Sequence, residues 1–217
     1  MAVNNVVSAI RPHRRNPDRV EIDFGDDDTV IITPEYVVRA GIRVGRELSG
    51  AERVELETES WVVAAMDRAI LLLSHRGRAT VELKRRLTRL SFPACSIDEA
   101  LERLTRLGYL DDAAFARQLA RGRMLVSGQS RYRIRSELLR KGVERETAES
   151  AIDETLAAED VDERSIIERV AGKKARSLAT LDPQTRRRRL YAFLARRGFG
   201  VDEINRVIGR VEELPED

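Results

Sequence analysis

The chain has 217 residues, 42% apolar but only 5% aromatic, enough for one large domain or two small ones around a lean aliphatic core. Charged residues make up 35% against a net charge of +2, which suits helices with wide wet faces. The single cysteine, Cys95, excludes an intramolecular disulfide, and no run approaches the roughly 18 apolar residues of a spanning segment.

Residues 1–17 read as a loose tail with Arg14-Arg15 and two prolines. The apolar stretch Ala2–Ile10 is broken by Asn4 and Asn5 and lacks a preceding basic residue, unlike a signal peptide. No membrane association and a cytoplasmic location are expected. Val20, Ile22 and Phe24 alternate with charged residues, and Thr29–Ile32 is β-branched and apolar. With Gly25-Asp26-Asp27-Asp28 as the turn, they predict a β-hairpin. Thr33-Pro34 opens a short helix that Gly41 ends.

Ser49 and Glu52 have capping-box spacing, and the region of Val54 and Leu56 is read either as a helix start or as a short extended piece. A firm helical face begins with Trp61, Ala65, Ala69 and Leu72. Helices are then expected at 61–75, 79–91 and 97–107, with Ser96 and Glu99 as a capping box for the last. A second set is expected at 112–126, 131–141 and 145–157, and a third at 162–177, 183–197 and 201–213. Asp111 and Asp182 stand at N-caps; Gly108, Gly142 and Gly198 stand at C-caps.

These sets are copies of one unit. Leu83, Leu87, Phe92 and Ala100-Leu101 recur 51 residues later as Ile134, Leu138, Val143 and Ala151-Ile152. After another 56 they recur as Leu190, Leu194, Phe199 and Val207-Ile208. A period near 50 marks helical repeats that stack to build a shared core. The expected fold is mostly α: an elongated array of three tandem three-helix repeats with an N-terminal β-hairpin extension. Its parts are a tail at 1–17, the hairpin and short helix at 18–60, and repeats at 61–110, 111–158 and 159–217.

Charge follows the repeats. Residues 1–60 carry eight Lys/Arg and twelve Asp/Glu, whereas the remainder is basic. The second helix of each repeat is basic and the third acidic, so one row suits phosphates or an acidic surface and the other a basic protein surface. Arg89, Arg140 and Arg196 share one place in the three repeats, about 240° round the helix from Leu83, Ile134 and Leu190. Arg85, Arg131, Arg133, Arg135, Lys141, Arg186 and Arg189 complete the candidate partner or DNA contacts. A solvated face is the competing reading of any one of them. Tyr132 and Tyr191 could stack on bases or cap helix contacts.

No enzyme, metal or cofactor site is expected. His13 and His75 lack partners at metal-ligand spacing, Cys95 lacks a catalytic partner, and Asp26-Asp27-Asp28 reads as a polar turn without a cation loop around it.

Residues 108–143 carry Gly108-Tyr109-Leu110-Asp111-Asp112, Phe115-Ala116, Gly128, Arg133-Ile134, Leu138 and Lys141-Gly142-Val143. This combination resembles the signature of the RecX family of bacterial RecA regulators. Glu82-Leu83 and Arg86-Leu87 resemble the family's first unit, and the likeness covers about residues 61–214. One departure is Gly128-Gln129-Ser130-Arg131, which lacks a second glycine and a proline common in the family.

The resemblance implies a non-enzymatic protein that lodges in the RecA–DNA filament. It would inhibit RecA ATPase, strand exchange and coprotease activity, bind DNA without sequence preference, and so modulate recombinational repair and the SOS response. A monomer is expected. The alternatives are a direct DNA-binding helical protein without a RecA target and a pure protein scaffold. Loss of RecA ATPase at substoichiometric protein, with DNA in excess, favours the filament reading over direct DNA binding, and the scaffold predicts no DNA binding at all.

Overall fold

The computed structural model describes residues 5–25 and 28–213. Asp26 and Asp27, two residues of the expected turn, lie outside the described residues, as do residues 1–4 of the expected tail.

The N-terminal part is a three-stranded antiparallel sheet, with β1 (Ala9–Pro12), β2 (Val20–Asp23) and β3 (Thr29–Ile32) in that spatial order. The β2–β3 pair is the expected hairpin, in register Val20↔Ile32 to Asp23↔Thr29. The loose tail is corrected: Ala9–Pro12 pairs along β2, and Val7 is 1% exposed. The pairing satisfies backbone groups and covers the sheet edge, which a lone hairpin leaves bare.

Helix α1 (Pro34–Arg39) starts at Thr33, whose side chain accepts from the Tyr36 N–H, and ends before Gly41 in the left-handed region at φ +61°. Helix α2 (Gly50–His75) settles the open reading of 50–60. Ser49 and Glu52 form a reciprocal capping box, and the helix crosses residue 61 without a break. The early half of α2 carries the sheet. Ile22, Phe24 and Ile32 pack in one cluster with Leu56 and Val63. The Arg53 guanidinium, 7% exposed, stacks 3.8 Å above the Phe24 ring and reaches Asp28 and Glu57 at 2.7 Å each. Burial of that cation is tolerated because carboxylates and a ring face surround it.

The late half of α2 belongs to the first repeat, with α3 (Thr80–Thr88) and α4 (Ala94–Arg106). Ala69, Leu72, Leu83, Leu87, Ile97, Leu101 and Leu104 form its core, and Arg103 ties α4 to Glu59 of α2. The capping box expected at Ser96 is corrected. Pro93 occupies the N-cap, the helix starts at Ala94, and Ser96 lies inside the first turn, 1% exposed.

The second repeat comprises α5 (Asp112–Arg121), a π-helical turn (Gly122–Val126), α6 (Arg131–Lys141) and α7 (Arg145–Ala158). The third comprises α8 (Glu163–Arg176), α9 (Pro183–Arg196) and α10 (Val201–Glu213). The chain divides into two compact units, one of residues up to Gly77 with Glu82–Leu110, the other of Arg78–Val81 with Asp111 onward. Within the second unit, one continuous cluster runs from Ala116 and Ile134 through Ile167 and Leu190 to Ile208. No helix among the described residues is long and apolar enough to cross a membrane.

Candidate partner and nucleic-acid interface

The recurrent apolar positions do what their spacing demands. Leu83, Leu87, Ile134, Leu138 and Leu194 are fully buried and Leu190 is 2% exposed. The arginines off that stripe, Arg89, Arg140 and Arg196, are exposed. Arg85 and Arg89 belong to the first unit, where Arg89 Nε donates to the Arg85 carbonyl at 3.3 Å. The other candidate cations belong to the second unit.

In the second unit the structure sorts them. Arg131 reaches Glu149 at 3.1 Å and Asp153 at 2.5 Å, and Arg135 reaches Glu149 at 2.7 Å. These pairs hold α6 against α7. Arg135 and then Arg131, by hydrogen bond and charge, keep the Glu149 carboxyl below its ordinary value. On the other flank of α7, Glu154 faces Arg117 at 3.6 Å and Glu159 faces Arg121 at 2.7 Å. The expected separation into a basic row and an acidic row is therefore corrected for this repeat. Much of the acidic charge of α7 answers arginines of α5 and α6 beside it.

Arg133, Arg189 and Arg196 are different. All three are exposed, and none forms an ion pair with a described residue. The turn after α9 packs on the start of α6. Gly198, at φ +89°, sits so close to α6 that a Cβ there would lie 2.7 Å from the Arg133 Cβ and 2.7 Å from Ser130 Oγ. The Ser130 N–H donates to the Arg197 carbonyl at 3.0 Å. Arg133 of α6 lies at that junction, and Arg196 ends α9 two residues before Gly198. Lys141 stands 5.9 Å from the centre of the half-buried Phe115 ring, and Arg186 is half-buried.

Three arginines that the sequence reading passed over hold this region in shape. Arg197 lies 3.7 Å over the Phe193 ring and donates to the Ser127 carbonyl at 3.1 Å; burial, then the Arg196 charge, push its guanidinium down from the usual value. Arg169 donates to the Leu125 carbonyl at 2.9 Å. Both answer carbonyls left at the end of the α5 and π-helical run, where a cation is favoured. Arg123 makes two bonds of 2.9 Å to Glu137 of α6. Nothing local in the sequence marks these contacts, since Arg169 stands mid-helix and its carbonyl partner lies 44 residues away.

The Glu137 pairing makes a testable pH effect. Arg123 first, then nearby Lys141 and Arg140, hold this largely buried carboxyl low, against its desolvation. A depressed folded value gives stability that is present above the unfolded value of about 4.3 and lost as pH falls through the folded one. Glu137→Gln is expected to melt below the parent at pH 7, with the gap closing below about pH 4. Circular dichroism melts across that range would show it.

Most of the signature residues lie at helix ends or in the core. Gly108, at φ +77°, follows α4; Leu110 is 3% exposed, and Tyr109 is 56% exposed. Asp111 caps α5 by accepting from the Ala114 N–H at 2.8 Å, and Asp112 accepts from the Thr80 N–H at 2.8 Å at the start of α3. Gly142 caps α6 at φ +93°. The loop that departs from the family is well built: Gly128 is left-handed at φ +59°, and Ser130 caps α6 by accepting from the Arg133 N–H.

Comparison with known proteins agrees with this architecture. Models of the first, second and third three-helix domains of RecX match residues 65–104, 111–152 and 162–208. Regulatory protein RecX of Pelodictyon phaeoclathratiforme is 36% identical over 158 residues, 73% of this chain and 94% of that protein. The namesake from Clostridium botulinum strain Eklund 17B is 24% identical over 204 residues, 93% and 94% of the two chains. A crystal structure of a regulatory protein RecX superposes with a TM-score of 0.69 at 20% identity, covering 93% of this chain and 98% of that one. RecX from Lactobacillus salivarius gives 0.56 at 21% identity over 71% of this chain and 98% of that one. Those two structures share the fold; with the three domain matches and the 36% identical relative, this chain belongs to the RecX family.

Proposed function

We propose that this RecX-family chain is a regulator that acts as a monomer in the cytoplasm. It binds the RecA–DNA filament and lowers RecA ATPase, strand exchange and coprotease activity, and through them tunes recombinational repair and the SOS response. Family membership supports the target. The observation that carries the contact is the set Arg133, Arg189 and Arg196, exposed and without ion pairs in the second unit. Cations held outward, while Arg131 and Arg135 are engaged at home, suit phosphates or acidic protein surface.

RecA ATP turnover on single-stranded DNA, titrated with this protein while DNA stays in excess, tests the reading. Turnover is expected to fall at substoichiometric protein, and Arg133→Glu with Arg196→Glu should weaken the effect more at low salt than at high salt. Unchanged turnover at saturation removes the RecA reading. The same exposed arginines favour one second reading, direct DNA binding without a RecA target, which predicts inhibition only when protein is sufficient to cover the DNA.

A further inference from the structure

We propose that the outer face of α6, with the adjoining end of α9, is a subsite for single-stranded nucleic acid. Tyr132 stacks on a base there, and Arg133 and Arg196 meet the flanking phosphates. The proposal rests on the reading that the chain works on DNA and deepens it by naming the form of the strand and the side chain that reads it.

The two tyrosines of the basic helices have separate fates. Tyr191 is packed against the core of the second unit, as a tyrosine that seals a helix contact should be. Tyr132 is 63% exposed and belongs to no core cluster, and its hydroxyl has no hydrogen-bond partner among the described residues. A large ring outside every core cluster and without a hydrogen bond, met among the described residues only by the Arg135 guanidinium, is available for a partner.

Its surroundings suit a nucleotide. Taking about 100° per residue, Tyr132, Ser136, Leu139, Arg140 and Arg133 fall on the half of α6 opposite Ile134 and Leu138. That half holds no carboxylate. The one acid of the helix, Glu137, lies on its flank and is held by Arg123. Arg135 stands 5.8 Å from the Tyr132 ring centre while Glu149 holds its other end, so the ring has a cation beside it that is already neutralised. Gly198 brings the turn after α9 against the Arg133 backbone and Cβ, and Arg196 ends α9 two residues before it. Arg189 lies two turns earlier on α9, about 10 Å along its axis, and extends the same basic ridge.

Aromatic rings flanked by arginines take unstacked bases and are sequence-tolerant, because every base has a π-face. A duplex keeps its bases stacked inside, so it offers the arginines phosphates but offers the ring nothing. The subsite therefore favours the single strand.

The test uses the full chain, without RecA, binding a thymidine oligonucleotide and a duplex of equal length over a range of salt. Tyr132→Ala is expected to weaken single-strand binding by about 5- to 100-fold, with the duplex changed less than about twofold. Tyr132→Phe should bind like the parent, since the ring remains. The salt slope of Tyr132→Ala should equal the parent's, because a stacked base releases no counterion. Arg133→Ala and Arg196→Ala should each flatten the single-strand slope by about 0.7. Equal losses on both nucleic acids, no loss on either, failure of the parent to bind the single strand, or a change of slope in Tyr132→Ala would each overturn the proposal. Because RecA is absent, these results and the ATPase titration can fail separately.

Discussion

Gly142→Ala is expected to destabilise the second unit by about 2–5 kcal/mol, although it adds one methyl group. Two costs combine. The residue closes α6 in the left-handed region at φ +93°, which charges an L side chain about 1–2 kcal/mol. The methyl group would also lie 2.3 Å from the Val81 Cβ and 2.6 Å from its Cγ1. Those atoms sit next to the Val81 backbone and cannot swing away, so Val81 and the α6–α7 turn must part, at about 1–3 kcal/mol for overpacking. Gly108→Ala isolates the first cost, since Gly108 has φ +77° and nothing within 4 Å of the added atom. It should lose only about 1–2 kcal/mol. Denaturant unfolding followed by helical circular dichroism measures both, and a Gly142→Ala loss no larger than that of Gly108→Ala would show that the close approach to Val81 is not tight.

The ease of reading the fold from sequence tracked how local its causes are. Helix α6 was legible to its ends, because Ser130 caps it, Gly142 stops it, and Ile134 and Leu138 fix its buried face. Where the reason lay elsewhere in the chain, reading failed. Ala9–Pro12 does not alternate and ends in proline, so only its partner β2 reveals it as a strand. Residues 50–60 are rich in Glu and show a thin apolar stripe, yet Leu56 on that stripe carries the sheet, and the helix follows. Pro93 started α4 before the polar box at Ser96 could.

The candidate interface followed the same rule. Arg131, Arg133 and Arg135 are indistinguishable as entries in a charge count. About 100° of rotation per residue and the position of α7 decide that Arg131 and Arg135 meet Glu149 while Arg133 points away. Net charge by helix therefore overstated both rows in this repeat. Recurrence along the chain identified the buried stripe of these helices and the exposed place of Arg89, Arg140 and Arg196, but not which neighbouring cations are engaged by carboxylates.

Leu138→Ala is the other large effect, at about 2–5 kcal/mol for a fully buried leucine whose cavity cannot fully collapse. Leu87 and Leu194 are its equivalents in the other repeats, and all three are 0% exposed. Their surroundings differ. Leu87 belongs to the core of the first repeat, whereas Leu138 and Leu194 share the single cluster that runs through the second and third. A void at Leu138 is therefore felt beyond its own three helices, because the packing of α8, α9 and α10 continues from the same apolar surface. Hydrogen exchange resolves the consequence. In Leu138→Ala, protection should fall in α5–α7 and in α8–α10 together, with a lower melting temperature by circular dichroism, as expected when one cooperative unit opens. Faster exchange confined to α5–α7 would mean that the two repeats fold on separate cores. Melting like the parent would mean that the position is not the anchor that its threefold recurrence and its burial make it.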